Sequence, residues 1–120
     1  MKKPPETEDH VKDMQRQWCD RRNAWHYAPI QNGLGVHGIH DRIACIPIVV
    51  TAEMVGKTIG LFVSIEAKRP GRRGELRRGM SKHQEDNLIA INAVGGVSIC
   101  CDGQEDLDEL DRKLSALWGF

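Results

Sequence analysis

The strongest constraint on this chain is the run from Ile59 to Lys68, an apolar and β-branched stretch that ends in Ile65-Glu66-Ala67-Lys68-Arg69-Pro70. Such a run reads as a strand, and residues two apart on a strand project from one face. Glu66 and Lys68 therefore share a side, and Ile65 and Ala67 are expected to face the core.

Local signals place the other elements around this strand. Residues 1 to 6 are an expected loose tail. Thr7 caps a helix whose Val11, Met14 and Trp18 recur at helical spacing, which assigns Trp18 to the core. Glu8 and Asp9 in its first turn suit the helix dipole. The glycines between Asn32 and Gly38 predict an irregular loop closed by Asp41. Ile43 to Val50 is a second apolar run, expected to lie beside Ile59 to Lys68 as its neighbouring strand. The connection from Thr51 to Thr58 holds one helical turn, capped by Thr51 and ended by Gly56. Ser81 caps a helix running to about Ala93, Gly95-Gly96 ends it, and Val97 to Cys101 is a third strand. Leu107, Leu110, Leu114 and Leu117 mark an amphipathic helix over Asp106 to Leu117. The order α, β, β, α, β, α over 120 residues predicts a single α/β domain spanning 1–120.

Seventeen basic and seventeen acidic residues cancel in the total, yet their distribution is uneven. Lys68, Arg69, Arg72, Arg73, Arg77, Arg78 and Lys82 are opposed within their own segment only by Glu75, which makes this loop a candidate DNA-phosphate face. Glu105, Asp106, Asp108, Glu109 and Asp111 form an acidic counterpart near the C-terminus. No apolar run approaches the roughly 20 residues of a membrane span. No apolar segment follows Met1-Lys2-Lys3, so a cytoplasmic location is expected. Four cysteines without CxxC spacing read as reduced thiols, and the adjacent Cys100 and Cys101 should point to opposite faces of their strand.

Hydrolysis of a phosphodiester needs hard oxygen ligands for Mg²⁺ or Mn²⁺, a positioned water, and positive charge where negative charge develops. Asp41 and Glu66 supply carboxylates, the backbone carbonyl of Ala67 can complete a metal shell, and Lys68 can orient the water and stabilise the phosphorus centre. At Gly38-Ile39-His40-Asp41, Glu66-Ala67-Lys68-Arg69-Pro70-Gly71 and Gln84, the chain resembles the PD-(D/E)XK nuclease superfamily. Within that superfamily it is similar to the small virus-type replication-repair nuclease (VRR-NUC) domain, including its stand-alone phage-encoded versions. His40 stands where that family usually has proline.

The resemblance implies a restriction-endonuclease-like core, a mixed central sheet flanked by helices. It implies a Mg²⁺- or Mn²⁺-dependent, structure-selective DNA endonuclease acting on Holliday junctions or other branched DNA as a homodimer, in the host cytoplasm if phage-encoded. Asp41, Glu66, Lys68 and Gln84 are then the catalytic residues, with Glu8 as a further metal ligand from the first helix. Gln84 also stands three residues after Ser81, the spacing of a capping box. The competing reading is a non-catalytic DNA-binding module that uses the basic loop 68–82.

Other motifs carry less. His37 and His40 form an HxxH in a loop, a weak zinc signature, and His83 at a helix start is a surface residue or a phosphate contact. Thr51 to Thr58 gives TxxxxGKT, but a strand follows where a phosphate-binding loop requires a helix, which excludes a nucleotide cofactor there. Trp25 and Tyr27 are candidates for stacking on bases.

Overall fold

The computed structural model describes residues 7–30 and 38–119. The expected tail, the glycine-rich loop up to Gly38, and His37 lie outside the described residues. The chain is mixed α/β, with three α-helices and two two-stranded sheets among the described residues. It divides into two compact units between Thr58 and Ile59.

The first unit opens with helix α1, Glu8–Arg21, whose N-cap Thr7 accepts a hydrogen bond on its hydroxyl from the His10 amide at 3.1 Å. The helix ends in a Schellman motif: Asn23 turns left-handed at φ 57°, and the amides of Asn23 and Ala24 close onto the carbonyls of Asp20 and Cys19. Asparagine tolerates that conformation better than most residues with a side chain. Strand β1, Trp25–Tyr27, then pairs antiparallel with β2, Ile43–Cys45, with Trp25 opposite Cys45. A 3₁₀ turn follows over Ala52–Met54, with Thr51 at its start and Gly56 beyond it at φ 84°.

Four expectations for this unit need correction. The strand expected over Ile43 to Val50 stops at Cys45, and residues 46–50 are exposed. Pro47 accounts for the stop, since it has no N–H to donate and fixes its own φ. The hydrogen-bonded neighbour of β2 is β1 and not the run Ile59 to Lys68. Thr51 takes the cap position without a side-chain cap bond. Trp18 is 43% exposed, and the Arg22 guanidinium lies 5.2 Å from its ring centroid, a cation–π contact that an exposed indole can make.

In the second unit, strands β3, Val63–Ala67, and β4, Val97–Cys101, run parallel with Val63 opposite Val97 and Ala67 opposite Cys101. Parallel neighbours need a crossover, and helix α2, Lys82–Ala93, provides it. Ser81 and Gln84 form the capping box at its start. At its end Gly95 adopts φ 94°, and the Gly95 and Gly96 amides close onto Asn92 and Ile91. Helix α3, Gln104–Trp118, completes the chain. Met80, Ile91, Val97, Cys100 and Leu114 form the core of this unit.

The facing of β3 reverses the expectation. Val63, Ile65 and Ala67 are exposed, Ile65 by 50%, whereas Ser64, Glu66 and Lys68 are half-buried. The polar side is the one that meets α2, where Gln84 hydrogen-bonds both Glu66 and Lys68.

The outer edge of β4 is covered by side chains. Asn92 receives the Ser98 amide on Oδ1 and donates Nδ2 to the Ser98 carbonyl, both at 3.0 Å, and Arg78 donates to the Cys100 carbonyl at 3.1 Å. Open strand edges invite pairing with other chains; here α2 and the basic loop occupy that edge.

Candidate active site

Glu66 lies near the end of β3 and Lys68 one residue beyond it, where the Lys68 amide still bonds the Cys101 carbonyl at 2.8 Å. The alternation of the strand puts both side chains on the α2 side, with Lys68 Nζ 3.4 Å from Glu66 Oε1. Gln84 joins them. Its Nε2 donates to Glu66 Oε1 at 2.8 Å, and its Oε1 accepts from Lys68 Nζ at 3.2 Å and from the Ser81 amide at 2.9 Å. The Ser81 hydroxyl in turn accepts the Gln84 amide at 3.1 Å.

One residue therefore serves as both helix cap and bridge between acid and lysine. The ring of contacts leaves capacity unused. An ammonium has three donors, of which Lys68 gives one to Gln84 and meets Glu66 as an ion pair, while Glu66 Oε2 has no partner among the described residues. Their side chains retain 22% and 36% exposure, so solvent reaches the pair. Cys100 stands opposite Glu66 in register. Burial pushes its thiol above the usual range, the carboxylates of Asp106 and Glu66 add to that, and Arg78 and Lys68 oppose it.

Asp41 belongs to the first unit, in a bend just before β2, and is exposed. With Met14, Trp18, Ile39, His40 and Arg42 it lines an open groove of about 1010 Å³. Glu8 is exposed, pairs with Lys12 at 3.8 Å, and does not join Asp41 in lining that groove. Among the described residues no three His, Cys, Asp or Glu side chains gather where a metal ion could be held. Trp25 and Tyr27 pack against each other with ring centroids 5.3 Å apart and planes tilted by 51°.

The basic loop does not present a uniform cationic face. Asp106, 5% exposed, accepts from both Nη atoms of Arg78 at 3.2 and 2.9 Å, from Arg73, and from the Asp102 amide at 3.0 Å. Arg78 also reaches Asp102 at 3.1 Å, and the Arg72 amide bonds the same carboxylate at 3.1 Å. The Arg78 hydrogen bonds and the Asp102 amide hold the Asp106 carboxyl far below the usual carboxylate range, and Asp106 pushes Arg78 up. Arg72 pairs with Glu75, Lys82 with Asp86, and Arg77 donates to the Met80 carbonyl at 3.2 Å. Arg69, exposed, has no hydrogen bond or ion pair among the described residues.

Two consecutive arginines, Arg77 at φ 51° and Arg78 at φ 53°, are left-handed, a conformation that costs roughly 1–2 kcal/mol per residue with a Cβ. The ion pairs of Arg78 offset that cost. Asp102 was not among the expected site residues. Its signal was the excess of arginine in a loop that has to pack against something.

The chain matches no protein-family model, no curated protein and no solved structure in these comparisons. No helix among the described residues is long and apolar enough to cross a membrane.

Proposed function

We propose that this protein is a metal-dependent, structure-selective DNA endonuclease of the PD-(D/E)XK type, acting on branched DNA such as Holliday junctions as a homodimer. The observation that carries the reading is the contact of Glu66 and Lys68 through Gln84 on the half-buried face of β3. An acid and an ammonium in mutual contact, each with unused hydrogen-bonding capacity, suit a phosphate that must be bound and attacked by water.

The donor set fits a hard divalent ion. Mg²⁺ keeps several waters and takes one or two carboxylates together with substrate phosphates, so the open Oε2 of Glu66 and the Ala67 carbonyl are adequate protein ligands. Such an ion supplies Lewis acidity at the phosphoryl oxygen and a more acidic water. Lys68 directs its remaining N–H at the water or a non-bridging oxygen, Gln84 fixes the geometry of both side chains, and Arg69 contacts the DNA backbone. Asp41 is the second carboxylate that the family resemblance assigns, and its replacement by Asn tests that role separately.

The alternative, a non-catalytic DNA-binding module built on loop 68–82, draws less support, because Arg72, Arg73, Arg78 and Lys82 are engaged by acids of the chain itself. Cleavage of labelled four-way junction, flap and duplex DNA with Mg²⁺ or Mn²⁺, by wild type, Glu66→Gln and Lys68→Ala, decides between them. Metal-dependent cutting lost in both folded variants supports the nuclease; binding without cutting on every substrate supports the module.

A further inference from the structure

The first unit contains an arginine whose setting differs from that of Arg73 and Arg78. Arg42 Nη1 lies 2.8 Å from His26 Nδ1, and His26 Nε2 lies 2.7 Å from Asp20 Oδ1. A guanidinium only donates. Nδ1 must therefore accept, which places the imidazole proton on Nε2 and directs it at Asp20. His26 stands opposite Ala44, so Arg42, two residues before Ala44, is its diagonal neighbour on the same face of the β1–β2 pair. The ring is 12% exposed, and Asp20 at the end of α1 also lies 3.7 Å from Arg16.

The half-buried Arg42 thus leans on a neutral ring and has no carboxylate partner among the described residues. One of its five N–H donors is engaged by His26. Arg42 also lines the groove that carries Asp41, His40 and Trp18. A fixed, uncompensated guanidinium is a receptor for a planar or tetrahedral oxyanion.

We propose that Arg42 takes a phosphate oxygen of bound DNA, and that His26 and Asp20 are positioning residues that aim it. The assignment rests on the nuclease reading for the identity of the ligand, and binding measured without metal separates the two. The test is equilibrium binding of a labelled duplex and a four-way junction in EDTA across a salt series, for wild type, R42A, R42K, H26N and H26Q. Cleavage with Mg²⁺ by wild type and E66Q runs in parallel.

Asn at position 26 offers an amide oxygen near the place of Nδ1, whereas Gln reaches toward Asp20 and leaves Arg42 unheld. R42A and H26Q should weaken binding roughly tenfold, and R42A should lower the salt slope by about one. H26N should bind within about twofold of wild type. R42K should keep the slope and lose part of the affinity, and it stands in for R42A should that variant unfold. A purely structural His26 would make H26N and H26Q alike, in step with their melting temperatures. R42A with wild-type affinity and slope overturns the proposal even if E66Q abolishes cutting. Wild type that neither binds nor cuts DNA overturns both readings.

Discussion

Two charged clusters in the second unit follow opposite rules. Around Asp106 the acid is nearly sequestered and its oxygens receive two arginines and a backbone amide. Around Glu66 one carboxylate oxygen and part of the donor capacity of the Lys68 ammonium stay unengaged in a half-exposed setting. The filled oxygens of Asp106 hold the fold together even though Arg78 Nε is buried there without a hydrogen-bond partner among the described residues; unfilled groups facing solvent are available to a substrate. Residue type alone does not separate the clusters, since each contains acids and cations.

The sharpest break of this contrast is the pair Glu66→Gln and Asp106→Asn. Glu66→Gln should lower cleavage by about 10³-fold or more with a melting temperature close to wild type. Asp106→Asn should act through stability, because removing one partner of a buried ion pair costs about 3–5 kcal/mol, read by denaturant unfolding. The difference should also depend on pH. The Asp106 carboxyl is depressed in the fold, so its stabilisation is complete above the ordinary carboxylate pKa of about 4 and is lost as pH falls toward the folded value. The gap in melting temperature between wild type and Asp106→Asn should narrow below about pH 4; a gap independent of acid would mean that the carboxylate charge contributes nothing.

Gln84→Ala removes a partner of Glu66 and Lys68 and the cap of α2 together. It should reduce cleavage by roughly 10- to 100-fold, as loss of an orienting partner does, and cost about 1 kcal/mol through the lost cap. Asn92→Ala should cost about 1–3 kcal/mol by stranding the Ser98 backbone groups, with turnover per folded molecule unchanged. The smallest effect is expected at the loop. Arg69→Ala should lower the salt slope of DNA binding by about one, whereas Arg73→Ala should shift the melting temperature and leave the slope in place.

Local signals in the sequence were legible. Ser81 with Gln84, Gly95-Gly96 and the run Val97 to Cys101 each specify their element within a few residues, and α2 and β4 form where they indicate. The shared side of Glu66 and Lys68 follows from strand alternation alone. What the sequence concealed depends on distant partners. Nothing in Trp-His-Tyr at 25–27 announces a three-residue strand until β2 lies beside it, and the partner of β2 is a matter of tertiary pairing. The counter-ions Asp102 and Asp106 of Arg73 and Arg78 stand 24 to 33 residues away. Ile65 and Ala67 were assigned to the core by their apolarity, yet the face that packs is the one on which Gln84 meets Glu66 and Lys68.

Gln84 also makes the candidate site readable by a method that needs no substrate. Its amide proton and that of Ser81 are both held within the capping box, so the first turn of α2 cannot fray without releasing Glu66 and Lys68. Hydrogen–deuterium exchange at those two amides therefore times the opening of the site. A ligand that engages Glu66 or Lys68 should slow the two protons together while leaving the far end of α2 unaffected.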